Sequence, residues 1–138
     1  MGQNSVVVYG QAIQAQLTSI VDPVPVYASF NRNFASDPKF IVWMLRDVHQ
    51  PVYTGPVQSV KGIDRPTFQI SIFTQMISDG FEISQQILDS LHGYSGLFGG
   101  ATYGFNISKA DVMWLFNSYN NDEKMAQIYM DCTLDIPT

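Results

Sequence analysis

The sequence predicts an α+β fold in which a mostly antiparallel sheet of four to five strands packs against two helices. Two segments carry apolar residues three or four positions apart, which is the spacing of one helix face. Two others, Thr67 to Gln75 and Met125 to Ile136, alternate between apolar and polar residues as half-buried strands do. A length of 138 residues suits one domain, and we expect a single domain over residues 1–138.

The first helix is predicted close to the start of the chain. Its apolar residues recur every three or four positions and are Val6, Tyr9, Ile13, Leu17 and Ile20. The run Asp22-Pro23-Val24-Pro25 ends the helix, because proline lacks an amide hydrogen and drives the residue before it out of the helical region. An extended segment, Val26 to Phe30, follows.

The middle of the chain predicts two strands and a long connection between them. Phe40 to Arg46 is a dense apolar run with β-branched residues, which is typical of a strand covered on both faces. Prolines and glycines then interrupt the chain as far as Pro66, so we expect a long loop or a projecting hairpin there. In the next strand the residues on the apolar face are Phe68, Ile70 and Ile72.

The second helix is the most clearly patterned element. Asp79 followed by Glu82 has the spacing of a helix start, in which a capping side chain precedes an acidic one by three residues. The helical period continues up to His92-Gly93, where we expect the helix to end. The residues that keep this period are Ile77, Phe81, Ser84, Leu88 and Leu91, and they are flanked by Ile83 and Ile87.

The last part of the chain predicts a glycine-rich loop and a hairpin. Five glycines between Gly93 and Asn106 indicate a loose backbone, with aromatic side chains interleaved. Val112 to Tyr119 and Met125 to Ile136 are predicted as antiparallel strands joined at Asn120-Asn121-Asp122, whose residues tolerate the positive φ of a tight turn. The residues expected to face the core from the last strand are Ala126, Ile128, Met130, Cys132, Leu134 and Ile136.

The composition argues against several functional classes. Seven Lys and Arg residues against twelve Asp and Glu give a net charge of −5, which is opposite to the basic surface that grips nucleic acid. The single cysteine, Cys132, cannot form an intramolecular disulfide, and this favours a reducing compartment. No apolar run reaches the length of a secretion signal or a membrane span, so no membrane association is expected.

No group of residues predicts catalysis, a metal site or a cofactor. Of the two histidines, His92 is expected to serve the free carbonyls at a helix end, and His49 stands alone at a strand end. Asp131 and Asp135 should lie about 13 Å apart along a strand, too far for the paired carboxylates of a glycosidase, so we expect a solvated face. Cys132 is expected to be a small buried residue. An enzyme and a small-molecule binding module, with the glycine-rich loop as its lid, stay as alternatives.

Three stretches together resemble one family of viral proteins. They are Pro66 to Phe73 (PTFQISIF), Gly80 to Leu91 followed by Gly93-Tyr94-Ser95-Gly96, and Ile128 to Ile136 (IYMDCTLDI). The order and spacing of the predicted elements are similar to those of the tail-terminator, or tail-completion, proteins of long-tailed bacteriophages. The likeness covers nearly the whole chain, except that Gln50 to Arg65 matches no pattern of the family.

The resemblance implies a structural virion protein and no enzyme. It implies a ring, with six copies expected, that caps the head-proximal end of the tail tube, stops its growth and offers a docking surface to the head. The partners would be further copies of the chain, the tail tube protein and a head-tail connector or stopper protein. DNA would pass through without specific binding, and assembly would take place in the host cytoplasm. Another connector, stopper or minor tail protein is the nearest alternative.

Three groups of residues are predicted to act in such a ring. The aromatic residues expected at subunit contacts, unless they fold back onto their own sheet, are Tyr94, Phe98, Tyr103 and Phe105. The residues expected to contact the tube or connector are Val57, Val60 and Ile63. Six copies would carry a charge of −30, so an acidic lumen would repel DNA phosphates. The acids expected on that one side of the ring wall are Asp79, Glu82, Asp131 and Asp135.

Overall fold

The computed structural model describes residues 6–29, 37–54, 61–121 and 124–137. These residues form a five-stranded sheet, two long helices, one short helix and a separate pair of short strands, which confirms the predicted α+β fold. In chain order the elements are α1 (Val6–Val21), β1 (Val26–Ala28), β2 (Lys39–Thr54), β3 (Lys61–Thr74), α2 (Ile77–Leu91), β4 (Gly96–Phe98), α3 (Gly100–Tyr103), β5 (Phe105–Ile107), β6 (Lys109–Asn120) and β7 (Met125–Pro137).

The main sheet is mostly antiparallel. Its strand order is β1-β2-β3-β7-β6, and only the pairing of β1 with β2 is parallel. β3 is central, and β6 forms one edge. The predicted pairing of the last two strands is confirmed, with Val112 opposite Cys132 and Tyr119 opposite Ala126.

One face of the sheet carries α1 and α2 and holds the core. Alternate residues of β3 and β7 point to this face, with Phe68 opposite Cys132 and Ile72 opposite Ile128. The apolar face predicted for β7 is confirmed, because all six of its residues are buried. Among the helices of the described ranges, none combines the length and the apolar character that crossing a membrane requires.

The breaker-rich segment is mostly a hairpin. β2 continues to Thr54 and β3 begins at Lys61, so the alternative of a projecting hairpin was the correct one. Pro51 lies within the register shift between His49 and Val52, where the ladder of hydrogen bonds is already interrupted. The missing amide hydrogen therefore costs little at that position.

The start of α2 differs from the prediction. The helix begins at Ile77, and its N-cap residue is Met76, which makes no side-chain capping bond. Asp79 lies inside the first turn, so the capping role predicted for Asp79 and Glu82 is wrong. The negative charge of Asp79 still suits this position, because it faces the positive end of the helix dipole.

Candidate functional site

The glycine-rich segment is ordered, and the prediction of a loose loop is wrong. β4 and β5 pair as antiparallel strands, with α3 between them. Gly99 has a φ of +98°, and a Cβ added there would lie 2.8 Å from Cα of Ala12 on α1. Its amide also donates a hydrogen bond of 2.8 Å to Oε1 of Gln16. Glycine is therefore required here because the segment packs directly on α1.

Of the aromatic side chains predicted at subunit contacts, one lies in the core of its own chain and two pack against that core. Phe98 is completely buried, and the ring of Phe105 makes an edge contact with Tyr9 at 5.7 Å between centroids. Tyr94 also packs against the core. Phe98 therefore folds back onto its own chain, and the subunit contact predicted for it is wrong, because β4 and β5 lie against α1. For the partly buried Tyr94 and Phe105 the subunit contact stays a prediction. Tyr103 is 48% exposed and remains available for contact.

Tyr103 lines a groove of about 530 Å³ beside α1. The other lining residues are Gln11, Gln14, Ala15, Thr18 and Ser19, none of which is charged. Gln14 also links α1 to the edge of the sheet, since it accepts a hydrogen bond from Nε1 of Trp43 and donates one to the carbonyl oxygen of Val26. The groove thus lies near the β1 and β2 side of the molecule.

The sheet face opposite the helices carries ion pairs between strands. Arg46 on β2 contacts Asp131 at 2.5 Å, and Arg65 on β3 contacts Asp135 at 2.6 Å. Hydrogen bonds to these carboxylates raise the pKa of both guanidinium groups. Asp135 is only 7% exposed, so the solvated face predicted for it is wrong. A carboxylate in this position requires the opposite charge of Arg65.

The four acids predicted for a lumen do not share one side of the protein. Asp131 and Asp135 alternate with the core residues of β7 and therefore point away from the helices. Asp79 and Glu82 belong to α2, which packs on the other face of the sheet. The two pairs of acids thus lie on opposite faces of the sheet, and their place in a lumen stays a prediction. The charges of Asp131 and Asp135 are largely offset by arginine.

The side chains around His92 form a charged cleft of about 430 Å³. Nδ1 of His92 accepts a hydrogen bond of 3.0 Å from the amide of Val112, so this nitrogen does not donate to the helix carbonyls as predicted. Lys109 and Asp111, which also line the cleft, pair with each other at 3.2 Å. These groups of the cleft are therefore engaged with their own neighbours, whereas Oδ1 of Asp131, which also lines the cleft, is buried without a hydrogen-bond partner among the described residues.

Candidate ligands and nucleophiles are sparse in the part of the chain that the structure describes. There, no three side chains of the metal-binding types are close enough to hold an ion. Cys132 is completely buried, as predicted, and burial raises the pKa of its thiol to about 12. A thiol of that pKa is a poor nucleophile at neutral pH. The side chain of His49 lies outside the described residues.

An exposed apolar strip on β6 was not predicted. Its residues, here called the β6 edge strip, are Met113, Leu115, Phe116 and Tyr119, each more than a third exposed. A register shift between Trp114 and Phe116 places the ring of Phe116 against Tyr129, with 4.7 Å between centroids. One sequence signal could have found the strip, since no charged residue occurs from Val112 to Asn121.

The predicted contact to the tube or connector lies at the hairpin end. Val57 and Val60 are outside the described residues. Ile63 is part of β3, where it pairs with Val52 on one side and Pro137 on the other. This contact stays a prediction.

The fold is similar to that of chains in two solved structures. A chain from the virion of a native gene transfer agent particle matches with a TM-score of 0.56 and 14% identity, over 95% of this chain and 92% of that chain. A chain from the PVC sheath/tube terminator of an extracellular contractile injection system, in the extended state, matches with a TM-score of 0.53 and 10% identity, over 98% of this chain and 57% of that chain. No protein-family model and no curated protein matches the sequence significantly. The chain thus shares its fold with these two chains.

Proposed function

We propose that this protein is a tail terminator, which is a structural component of a virion. Residues 1–138 form its single domain. Six copies form a ring at the head-proximal end of the tail. The ring caps the tail tube, stops its growth and presents a docking surface to the head-tail connector, while DNA passes through its lumen. The copies assemble in the host cytoplasm.

The observation that carries this proposal is the match to the sheath/tube terminator chain, which extends over 98% of the present chain. A match over nearly all of this chain concerns more than one common motif, although it spans only 57% of the other chain. The β6 edge strip adds support, because exposed apolar surface of this kind marks sites of assembly. The charged cleft offers no comparable support for catalysis.

The lumen of the proposed ring is acidic because of the net charge of the chain rather than because of all four predicted acids. Each copy has a net charge of −5, and this net charge repels DNA phosphates whichever face lines the channel. Asp79 and Glu82 on α2 remain candidates for the lumen wall. Asp131 and Asp135 contribute less, because Arg46 and Arg65 pair with them.

Electron microscopy of virions labelled with a gold-conjugated antibody against this chain tests the proposal. The label is expected at the junction of tail and head, and native mass spectrometry of the purified chain is expected to show a closed ring. Label along the tube or at its distal tip would contradict the proposal. Label that stays with tail-less heads would instead identify a connector or stopper.

A further inference from the structure

We propose that β6 is the strand through which one copy of this chain extends the sheet of the next copy. The occupant of the β6 edge strip is then a second copy of the same chain. The inference rests on the proposed ring and specifies the edge that the ring uses. The residues involved differ from the aromatic residues that the sequence suggested for this contact.

Groups from the described residues before β6 cover the outer side of its backbone in the first half of the strand. There the amide of Gly93 donates to the carbonyl of Ala110 at 2.7 Å, and the amide of Ala110 donates to the carbonyl of Tyr94 at 2.9 Å. The amide of Val112 donates to the side chain of His92. Beyond Val112, no described strand pairs with this side of β6.

The alternation of an antiparallel ladder shows which peptide groups are directed outward. Val112 and Trp114 lie opposite Cys132 and Met130, and after the register shift the equivalent positions are Asn117 and Tyr119. The amide and carbonyl groups at these positions point away from β7. An extended strand is the element that can pair with them in register.

The side chains of the strip indicate a neutral, apolar occupant. Four exposed apolar side chains lie within an uncharged run from Val112 to Asn121. Nucleic acid is disfavoured here because the run contains no lysine or arginine to meet phosphates. A helix could cover the apolar groups but would leave the outward peptide groups without partners.

The same sheet carries a second open edge on its opposite side, which points to a copy of this chain as the occupant. β1 pairs with β2 only at Ile41–Trp43, and no other described strand covers the outer side of β2 beyond Trp43. Exposed apolar side chains occur there too, at Met44 and Val48. The two edges are different, so their contact would be heterologous, as a ring requires.

The strand directions are compatible with this contact. β2 and β7 run in one direction, and β3 and β6 run in the other. A rotation about an axis along the strands preserves these directions from copy to copy. β6 of one copy would therefore run antiparallel to β2 of the next, which gives the more favourable ladder.

Replacing Asn117 with proline in the full chain tests the inference. Asn117→Pro removes an outward amide hydrogen and fixes φ, which an edge strand tolerates, whereas Asn117→Ala keeps that hydrogen and serves as the matched control. We expect Asn117→Pro to raise the concentration for half-maximal ring formation by about tenfold, with unchanged thermal unfolding. Asn117→Ala should assemble like the unaltered chain. Native mass spectrometry measures the assembly.

A second variant keeps the test decisive if proline disturbs the fold. Phe116→Glu places a charge on a half-exposed side chain and should also prevent ring formation, while the fold loses only the ring contact with Tyr129. Rings that form normally in either folded variant would overturn the inference and leave the proposed function intact. An unaltered chain that stays a single copy at every concentration, and whose label is absent from the tail end, would refute the proposed function itself.

A cysteine variant distinguishes the two possible arrangements of β6. Cys132 is completely buried, so it does not compete with an engineered surface thiol. If β6 met β6 of another copy, Asn117→Cys alone would form disulfide-linked dimers and contradict the heterologous contact. We expect no such dimers. Instead, a disulfide should form when Asn117→Cys is combined with a cysteine scan along the outer edge of β1 and β2.

Discussion

The substitution Phe98→Ala tests whether the glycine-rich segment belongs to the core or to the assembly surface. The side chain is completely buried, and its ring lies 6.3 Å from that of Phe105. Truncating a buried phenylalanine to alanine costs about 3–5 kcal/mol, because apolar burial is lost and a cavity remains. Since single domains have roughly 5–15 kcal/mol of stability, the variant should fold with a much smaller margin. Tyr103→Ala, at a half-exposed site, should stay within about 0.5 kcal/mol of the unaltered chain.

Urea unfolding followed by tryptophan fluorescence measures both changes. Trp43 and Trp114 pack against the core, so their emission reports on its loss. The unfolding midpoint should shift at constant slope, and dilute protein avoids stabilisation by assembly. If Phe98→Ala loses less than about 1 kcal/mol while its assembly fails, the segment is an interface and the packing argument is wrong.

Three further substitutions test the buried charges and the thiol. Arg65→Met should lower the midpoint of thermal unfolding more than Arg46→Met does. Arg65→Met leaves the nearly buried Asp135 without its cation, whereas a larger share of the Asp131 side chain is exposed to water. Equal shifts of the two midpoints would contradict this expectation. Burial raises the pKa of the Cys132 thiol from 9.0 to about 12, so the folded state holds the thiol proton more tightly than the unfolded state does. The protonated thiol therefore contributes to the free energy of unfolding fully below pH 9, and this contribution is lost as the pH rises towards 12. Cys132→Ala should therefore show a shallower alkaline loss of unfolding free energy than the unaltered chain, and parallel curves would exclude the effect.

The burial pattern of β7 could be predicted from the sequence because its cause is local. The strand pairs on both sides, and one face packs on the helices, so the alternation of side chains decides which are buried. The structure of the glycine-rich segment could not be predicted from the sequence, because its cause is not local. Gly99 is needed because the backbone approaches Ala12, a contact between distant parts of the chain that local composition does not reveal.

The acidic residues also required information that the sequence pattern lacks. Arg46 and Asp131 are 85 residues apart, and Arg65 and Asp135 are 70 apart, yet each pair is in direct contact. Net charge is visible in composition, but its local compensation depends on which strands become neighbours. The open edge of β6 depends on the strand order in the same way.

The groove beside α1 and the β6 edge strip can belong to one junction. α1 packs over the β1 and β2 side of the sheet, with Gln14 reaching Trp43 and Val26, so the groove with Tyr103 lies at that edge. α2 packs on the β6 side, where Phe81 contacts Trp114. A junction between β2 of one copy and β6 of the next would bring this groove towards α2 of the neighbour. Tyr103→Ala would then weaken assembly together with the β6 variants, although Tyr103 lies at the opposite edge of the same chain.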